Sequence, residues 1–277
     1  MSNLQVLKKR LNSVCATKEM AEAMKTVATV KYSRAGKAYS EYEKYSEACG
    51  SALELLGGAF LSRQTDEVKP RNCLVLLTSN RGFCGGFNGN VLRFFASELE
   101  AESEPPLLIV CGKKGRKYCT DRSLEAEFLE MEDIPSYAFA KDLTEKLFEL
   151  YSSGEVSGIY FISQHFKNIM TQLPARTKIL PQEQSEGNAL SDETLFLPDR
   201  ETVGAKLALT CLAGTVYRIL LAHASGAQAA TIVAMRSASD NAGESQVKLE
   251  TMINRIRQAE VTNSVIETSS AAQGLES

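Results

Sequence analysis

Cys73-Leu74-Val75-Leu76-Leu77-Thr78-Ser79-Asn80-Arg81-Gly82-Phe83-Cys84-Gly85-Gly86-Phe87-Asn88 decides the fold class. Its first half is a short apolar run rich in strand formers, bounded by polar turn residues. That pattern reads as a fully buried strand over Cys73–Ser79. Three glycines then supply a tight turn, and an amphipathic stretch over Phe87–Glu100 predicts a helix. The alternation continues outward. Leu107–Cys111 predicts a second strand, Ser136–Ser152 a helix and Gly158–Ser163 a third strand. Strands alternating with helices imply an α/β domain with a mostly parallel sheet and helices on both faces. Gln182–Glu193 reads as a polar loop closing this middle region.

The flanks are of another kind. All seven prolines lie between Pro70 and Pro198, so residues 1–69 and 199–277 contain none. Proline inside a helix removes a donor and clashes with the preceding turn, at about 3 kcal/mol or more. Two proline-free arms therefore predict two long helices, dividing the chain into an N-terminal helix (1–66), an α/β domain (70–196) and a C-terminal helix (200–277). In steps of seven, the first arm reads Leu7, Val14, Ala21, Ala28, Ala35, Tyr42, Cys49 and Leu56, all apolar. The companion positions Leu4, Leu11, Lys18, Lys25, Tyr32, Tyr39, Ser46 and Leu53 are apolar only at the ends. A sustained seven-residue repeat predicts a left-handed coiled coil. Met20, Met24 and Val27 widen the apolar face, toward a second partner or a broad core stripe.

Asp199 is the expected N-cap of the last arm, with Glu201 in its first turn. Leu249, Met252, Ile253 and Ile256 show the i, i+3, i+4, i+7 spacing of a buried helix face. Gly226 and Gly243 are expected at bends or close contacts. Because the first arm enters the middle domain and the last arm leaves it, paired arms must be antiparallel. An arm of ~65 residues spans on the order of 100 Å, and the longer last arm is expected to project about 15 Å past its partner. From Val261 to Gly274 the only charge is Glu267, which suits a surface enclosed by another protein or a frayed tail.

Composition narrows the function classes. With 31 basic and 34 acidic residues, net charge −3, whole-protein affinity for nucleic acid is not expected. Eight basic residues between Lys8 and Lys37 face only Glu19 and Glu22, a solvated face or a surface for an acidic protein. Seven cysteines with no C-x-x-C pair read as small buried hydrophobes in a reducing compartment. MSNLQVLKKRLNS is not a secretory signal, and apolar runs fall short of the ~20 residues of a membrane span. Membrane association is therefore expected only through partners. The glycine turn matches neither G-x-G-x-x-G nor G-x-x-x-x-G-K-[ST], so tight packing is a better reading of it than a phosphate cradle. His165 and His223 have no metal-ligand spacing, and no nucleophile elbow or H-E-x-x-H occurs. No cofactor, metal or catalytic residue is expected. A mechanical or scaffolding role for two long helices remains, beside a coiled-coil scaffold with a nucleotide-binding domain as the alternative.

Three stretches together resemble the gamma subunit of F-type ATP synthases. Glu22-Ala23-Met24-Lys25-Thr26-Val27-Ala28 is similar to the family's K-A-M-x-x-V-A. Thr78–Asn88 is similar to T-S-D-R-G-L-C-G-G-x-N. Val233-Ala234-Met235, Ala238–Gly243, Asn254–Ala259 and Thr262 are similar to V-A-M-x-x-A-T-D-N-A-G and Y-N-x-x-R-Q-A-x-I-T. The resemblance implies an antiparallel shaft on a Rossmann-like foot. It implies rotation inside a ring of alpha and beta subunits, with the epsilon subunit and the c-subunit ring at the foot. It also implies a non-catalytic role at the cytoplasmic side of a bacterial membrane. It places Met24, Lys25, Arg257, Gln258 and Thr262 against the alpha and beta subunits. Gly82, Gly85, Gly86, Asp240 and Asn241 belong to its structural motifs. Asn80 stands for the usual Asp, Glu22 for Lys, Ala227 and Thr231 for Glu and Arg, and Ser264 for Glu.

Overall fold

A computed structural model describes residues 3–56, 61, 69–166, 168–181 and 197–275. In chain order the elements are α1 (Asn3–Leu56), β1 (Cys73–Leu77), α2 (Phe87–Ala101), β2 (Leu107–Cys111), α3 (Lys113–Asp121), β3 (Glu127–Leu129), α4 (Tyr137–Ser152), β4 (Ile159–Phe166), β5 (Gln172–Leu180) and α5 (Arg200–Leu275). The polar loop expected at Gln182–Glu193 lies outside the described residues. Contacts divide the chain into two compact units, Met1–Val27 with Ile232–Ser277, and Ala28–Thr231.

The larger unit is an α/β domain with stretches of both long helices. Its sheet has the order β3-β2-β1-β4-β5. The first four strands are parallel; β5 returns antiparallel to β4. Side chains alternate across the sheet, so each face builds its own core. One face buries Cys73, Val75, Leu77, Ile109 and Phe161 against Leu143 and Leu147 of α4 and Leu212, Val216 and Leu220 of α5. The other buries Leu74, Leu76, Val110 and Ile162 against Val91 and Phe95 of α2 and Cys119 of α3. Helices cover both faces, as the alternation of elements predicts.

Three elements are absent from the sequence reading. The three-residue strand β3 is too short to show alternation; Lys146 of α4 pairs with its Glu127. Strand β5 (QLPARTKIL) carries Pro174 and two cations; it pairs antiparallel with β4, buries Ile179 and Leu180, and is tied by charge to α2 and the residue after it. Arg176 Nη1 reaches Glu98 Oε2 at 3.0 Å and Glu102 Oε1 at 2.8 Å, with its guanidinium 3.9 Å from the Tyr160 ring centroid. Proline is tolerated there because β5 is an edge. Helix α3 (KKGRKYCTD) buries only Gly115 and Cys119, and the glycine is what lets it lie close: a Cβ on Gly115 would stand 2.8 Å from Val110 Cγ1.

The seven-residue seam of α1 is present in both units. Ala21, Ala28, Ala35 and Cys49 are buried, and Leu7, Val14 and Tyr42 half-buried. In the larger unit Tyr42 meets Tyr217 of α5 edge-on at 4.9 Å and also packs on Tyr45 and Tyr137. Close helix approach there depends on Gly214, whose added Cβ would lie 2.5 Å from the Tyr42 hydroxyl oxygen. Gly226 is likewise a close contact, 3.2 Å from Phe87 by the same construction.

In the smaller unit Ser239 Oγ donates to Glu22 Oε1 at 2.6 Å, and Gly243 faces the Lys18 side chain. These contacts set an antiparallel register in which paired residue numbers sum to about 261. The buried and half-buried face of α5 is Met235, Ser239, Ala242, Gln246, Leu249, Ile253 and Ile256, a four-three alternation matching α1. Met252, expected on that face, is 50% exposed instead, one position off the seam. The register sets Asn3 across from Gln258, so α5 overhangs by 275 − 258 = 17 residues, about 25 Å rather than about 15 Å. Packing, not arm length, sets the overhang.

Asp199 caps α5, accepting from Thr202 N at 2.7 Å; this bond holds its carboxyl below the usual range. Alpha5 also holds a membrane-length window of mean hydropathy 1.5, which corrects the expectation that no stretch is apolar enough. Small Ala, Gly and Ser residues interrupt the large apolar ones, so no continuous run is visible. Half of the window is buried inside the protein.

Candidate functional site

The glycine turn is built to pack. Phe83 and Gly85 take left-handed backbone conformations, φ 64° and 55°, and Gly86 precedes the first turn of α2. Asn88 ties the turn together: its Oδ1 accepts from Ser79 N at 3.0 Å, and its Nδ2 donates to Ser79 Oγ at 2.7 Å and Cys84 Sγ at 3.1 Å. Cys84 and Phe87 then pack on Ala227 of α5, and Phe87 lies 5.0 Å from the His223 ring. Gln164 Nε2 donates to the Phe87 carbonyl at 2.8 Å. Gly82, the remaining motif glycine, faces only the end of Lys114.

A cleft of about 240 Å³ opens at the carboxyl ends of β2 and β3, lined by Asn80, Gly112, Lys113, Arg116 and Phe128 among others. Open α/β sheets bind ligands at such places, using free N–H groups at a helix start. Here Thr78-Ser79-Asn80 occupies those groups. Asn80 Oδ1 accepts from Lys113 N at 3.2 Å, the Ser79 carbonyl from Lys114 N at 3.3 Å, and Thr78 Oγ1 from Gly115 N at 2.8 Å. The polar residues that follow β1 thus cap α3 from within the protein.

The five residues assigned to partner contact lie on the smaller unit. Met24 and Lys25 are half-buried on α1, with Lys25 Nζ 2.6 Å from Glu22 Oε2. Arg257, Gln258 and Thr262 are exposed on α5; Thr262 Oγ1 donates to the Gln258 carbonyl at 2.9 Å. By the register, Met24 lies across from residue 237, about 30 Å along the axis from Gln258. The residues are thus strung along a helix pair rather than gathered into a pocket. Asp240 and Asn241 are exposed between buried Ser239 and Ala242. The same unit exposes Val6, Met20, Val27, Val247, Val261, Val265 and Ile266, so its apolar side chains lie outside the seam as well as in it.

The ATP synthase family model matches residues 3–275. The ATP synthase gamma chain of Desulforamulus reducens is 33% identical over 100% of both chains. The chain belongs to the ATP synthase gamma-chain family. The gamma chain of Symbiobacterium thermophilum is also 33% identical, over 99% of each chain. Among solved structures, a chain of the Euglena gracilis mitochondrial ATP synthase OSCP/F1/c-ring matches with a TM-score of 0.67, at 15% identity, over 98% of this chain and 94% of that one. A chain of the Tetrahymena thermophila ATP synthase central stalk/c-ring matches at 0.62 and 20% identity, over 79% and 99%.

Four departures from the gamma-chain motifs have physical accounts. Asn80 uses both ends of its amide. Besides capping α3, its Nδ2 donates to the Met131 carbonyl at 2.6 Å and to Asp133 Oδ1 at 3.4 Å. The local negative charge is therefore on Asp133, which pairs with Lys31 of α1 and with Arg81 at 3.6 Å. Burial pushes the Asp133 carboxyl up, but Lys31, Asn80 and Arg81 together hold it below its usual range. Glu22, in place of Lys, accepts from Lys25 one turn on in α1 and from Ser239 of α5; both hold its carboxyl below the usual range, and the Ser239 bond joins the two helices. Ala227 fills the apolar contact with Cys84 and Phe87, and Thr231 turns its hydroxyl onto the Ala227 carbonyl. Nothing in the structure explains Ser264, which is exposed.

Asn80→Asp is expected to destabilise the larger unit by about 1–2 kcal/mol in urea denaturation, because a carboxylate cannot donate to Met131 and adds charge beside Asp133. Adding Asp133→Asn is expected to recover part of the loss, and the double-mutant cycle measures that coupling. Full additivity would refute it.

Proposed function

We propose that this chain is the central-stalk rotor of an F-type ATP synthase. In this reading it turns inside the alpha and beta subunits, with the epsilon subunit and the c-subunit ring at its foot, and couples transmembrane ion flow to ATP synthesis or hydrolysis. It is non-catalytic, the chemistry lying on the beta subunits, and it sits at the cytoplasmic side of a bacterial membrane through those partners.

The observation that carries the reading is full-length membership of the gamma-chain family together with an overhanging helix end that solvation alone does not favour. Val261, Val265 and Ile266 are exposed on the overhang, where Glu267 is the only charge between Val261 and Gly274. A protein sleeve would cover such a surface without needing ion pairs that must break at each angular position. Met24 and Lys25 lower down, and Arg257, Gln258 and Thr262 above, are the proposed contacts with the alpha and beta subunits. An asymmetric shaft gives chemically identical sites different neighbours at each orientation. It can therefore shift each site's conformational equilibrium only by its differential contacts with the two states.

Native isolation through a tag on this chain tests the reading. Stoichiometric alpha- and beta-like subunits with ATPase activity are expected, and recovery of the intact chain with neither would overturn it.

A further inference from the structure

The cleft of about 240 Å³ at the ends of β2 and β3 is lined by charges of both signs that do not pair. Lys113 and Arg116 come from α3, and Glu130 and Glu132 from the chain just past β3; Val110 and Phe128 add apolar surface. All four charged side chains are exposed. Among the described residues none of the four makes an ion pair, although opposite charges share so small a space. Arg116 lies instead over the Phe128 ring, 5.4 Å from its centroid.

The two charged walls are fixed by one amide. Asn80 Oδ1 accepts from Lys113 N at 3.2 Å, and its Nδ2 donates to the Met131 carbonyl at 2.6 Å. Met131 is buried and both its neighbours are exposed, so the two carboxylates flank an anchored residue. Lys113 opens α3, where the helix dipole disfavours a cation, and no acidic residue in that first turn offsets it. Natural sequences break such local rules chiefly at functional positions.

An occupant must answer both signs. A nucleic acid or an anionic membrane would meet Glu130 and Glu132 as well as the cations, and like charges brought together are costly. The cleft is also smaller than the ~300–1,000 Å³ of ordinary small-molecule sites, with room for little more than an amino-acid side chain or two. We infer that it docks a segment of a partner protein that carries an acidic and a basic side chain on either side of an apolar one. The acid pairs with Lys113 and Arg116, the base with Glu130 and Glu132, and the apolar side chain covers Val110 and Phe128. Charges at a solvated rim contribute orientation and association rate more than affinity, so this docking is weak and sensitive to salt. It does not depend on the proposed function.

The test uses the full-length chain and three fluorescein-labelled peptides of equal length, read by fluorescence anisotropy at low and moderate salt. One peptide combines Leu, Glu and Lys, one Leu and Glu only, and one Leu and Lys only. The mixed peptide is expected to bind about tenfold or more tightly than either of the others, and to weaken as salt rises. Lys113→Glu and Glu132→Lys, each checked for folding by circular dichroism, should each weaken it about tenfold. Lys141→Glu, exposed on α4 away from the cleft, should leave it unchanged. Tighter binding of either single-sign peptide, or binding of phosphatidylglycerol vesicles that Lys113→Glu abolishes, would mark a surface for one sign of charge and overturn the inference. Equal binding of the three peptides, binding indifferent to both substitutions, or no binding would also overturn it.

Discussion

Gly112→Ala is expected to destabilise the larger unit by about 3–5 kcal/mol, enough to unfold a domain of ordinary stability. Gly112 joins β2 to α3 with φ 100°, a conformation that strains any L side chain. A Cβ there would stand 2.1 Å from the Thr78 carbonyl oxygen and 2.7 Å from Thr78 Oγ1. Neither atom can retreat. Thr78 is fully buried at the end of β1, its N–H donates to the Cys111 carbonyl at 2.9 Å, and its hydroxyl caps Gly115. Relief would require separating β1 from β2 or losing the start of α3. Chemical denaturation followed by circular dichroism measures the effect. Gly89→Ala is the control: it lies exposed in α2, with nothing within 4 Å of its built Cβ. It is expected to gain up to about 1 kcal/mol. Equal effects at the two glycines would refute the argument.

Acid is expected to weaken the protein well above the range where its carboxylates protonate, through His223. This imidazole is fully buried between α5 and β4, and its Nδ1 accepts from Gln164 N at 3.3 Å. Accepting at Nδ1 fixes a neutral ring with its proton on Nε2. Burial lowers the folded-state value from 6.5 to about 3. Between those values the unfolded chain binds a proton that the folded chain refuses, so stability falls as pH drops from about 6.5 toward 3 and is flat above. One unit corresponds to 1.36 kcal/mol, which makes the loss about 2 kcal/mol at pH 5 and about 3 kcal/mol at pH 4 relative to pH 7. His223→Asn keeps an acceptor near the same place and cannot titrate. Its stability should be nearly level from pH 7 to 5, while wild type slopes. Parallel profiles would show that another group controls the window. Asp133 cannot imitate the effect, because its lowered carboxyl contributes stability that is lost only as pH falls through the carboxylate range.

The sheet core and one half of the helix seam were legible in sequence because both rest on short repeats. Five consecutive buried residues in β1 read as a strand, and α1 shows its seam even where alanine carries it. The α5 half was obscured because Ser239 and Gln246 interrupt its apolar spacing, and Met252 mimics a seam residue while pointing outward. Strand β5 was hidden because only its last two residues are buried, and Pro174, Arg176 and Lys178 break any apolar alternation before them. For the candidate site, the resemblance supplied Met24, Lys25, Arg257, Gln258 and Thr262. The capping of α3 by Thr78-Ser79-Asn80 had no local signature, since its partners are more than thirty residues away.

By itself, the sequence determined the elements: buried strands alternating with helices, flanked by two arms that no proline interrupts. Those features depend on backbone sterics and on side-chain periods of two, 3.6 and seven, all set by near neighbours. Only the tertiary structure decided the helix register, the length of the overhang, the sheet order and the need for glycine at 112. Each of these rests on groups distant in the chain, as in the Glu22–Ser239 bond that spans 217 residues, and no local pattern specifies which distant groups will meet.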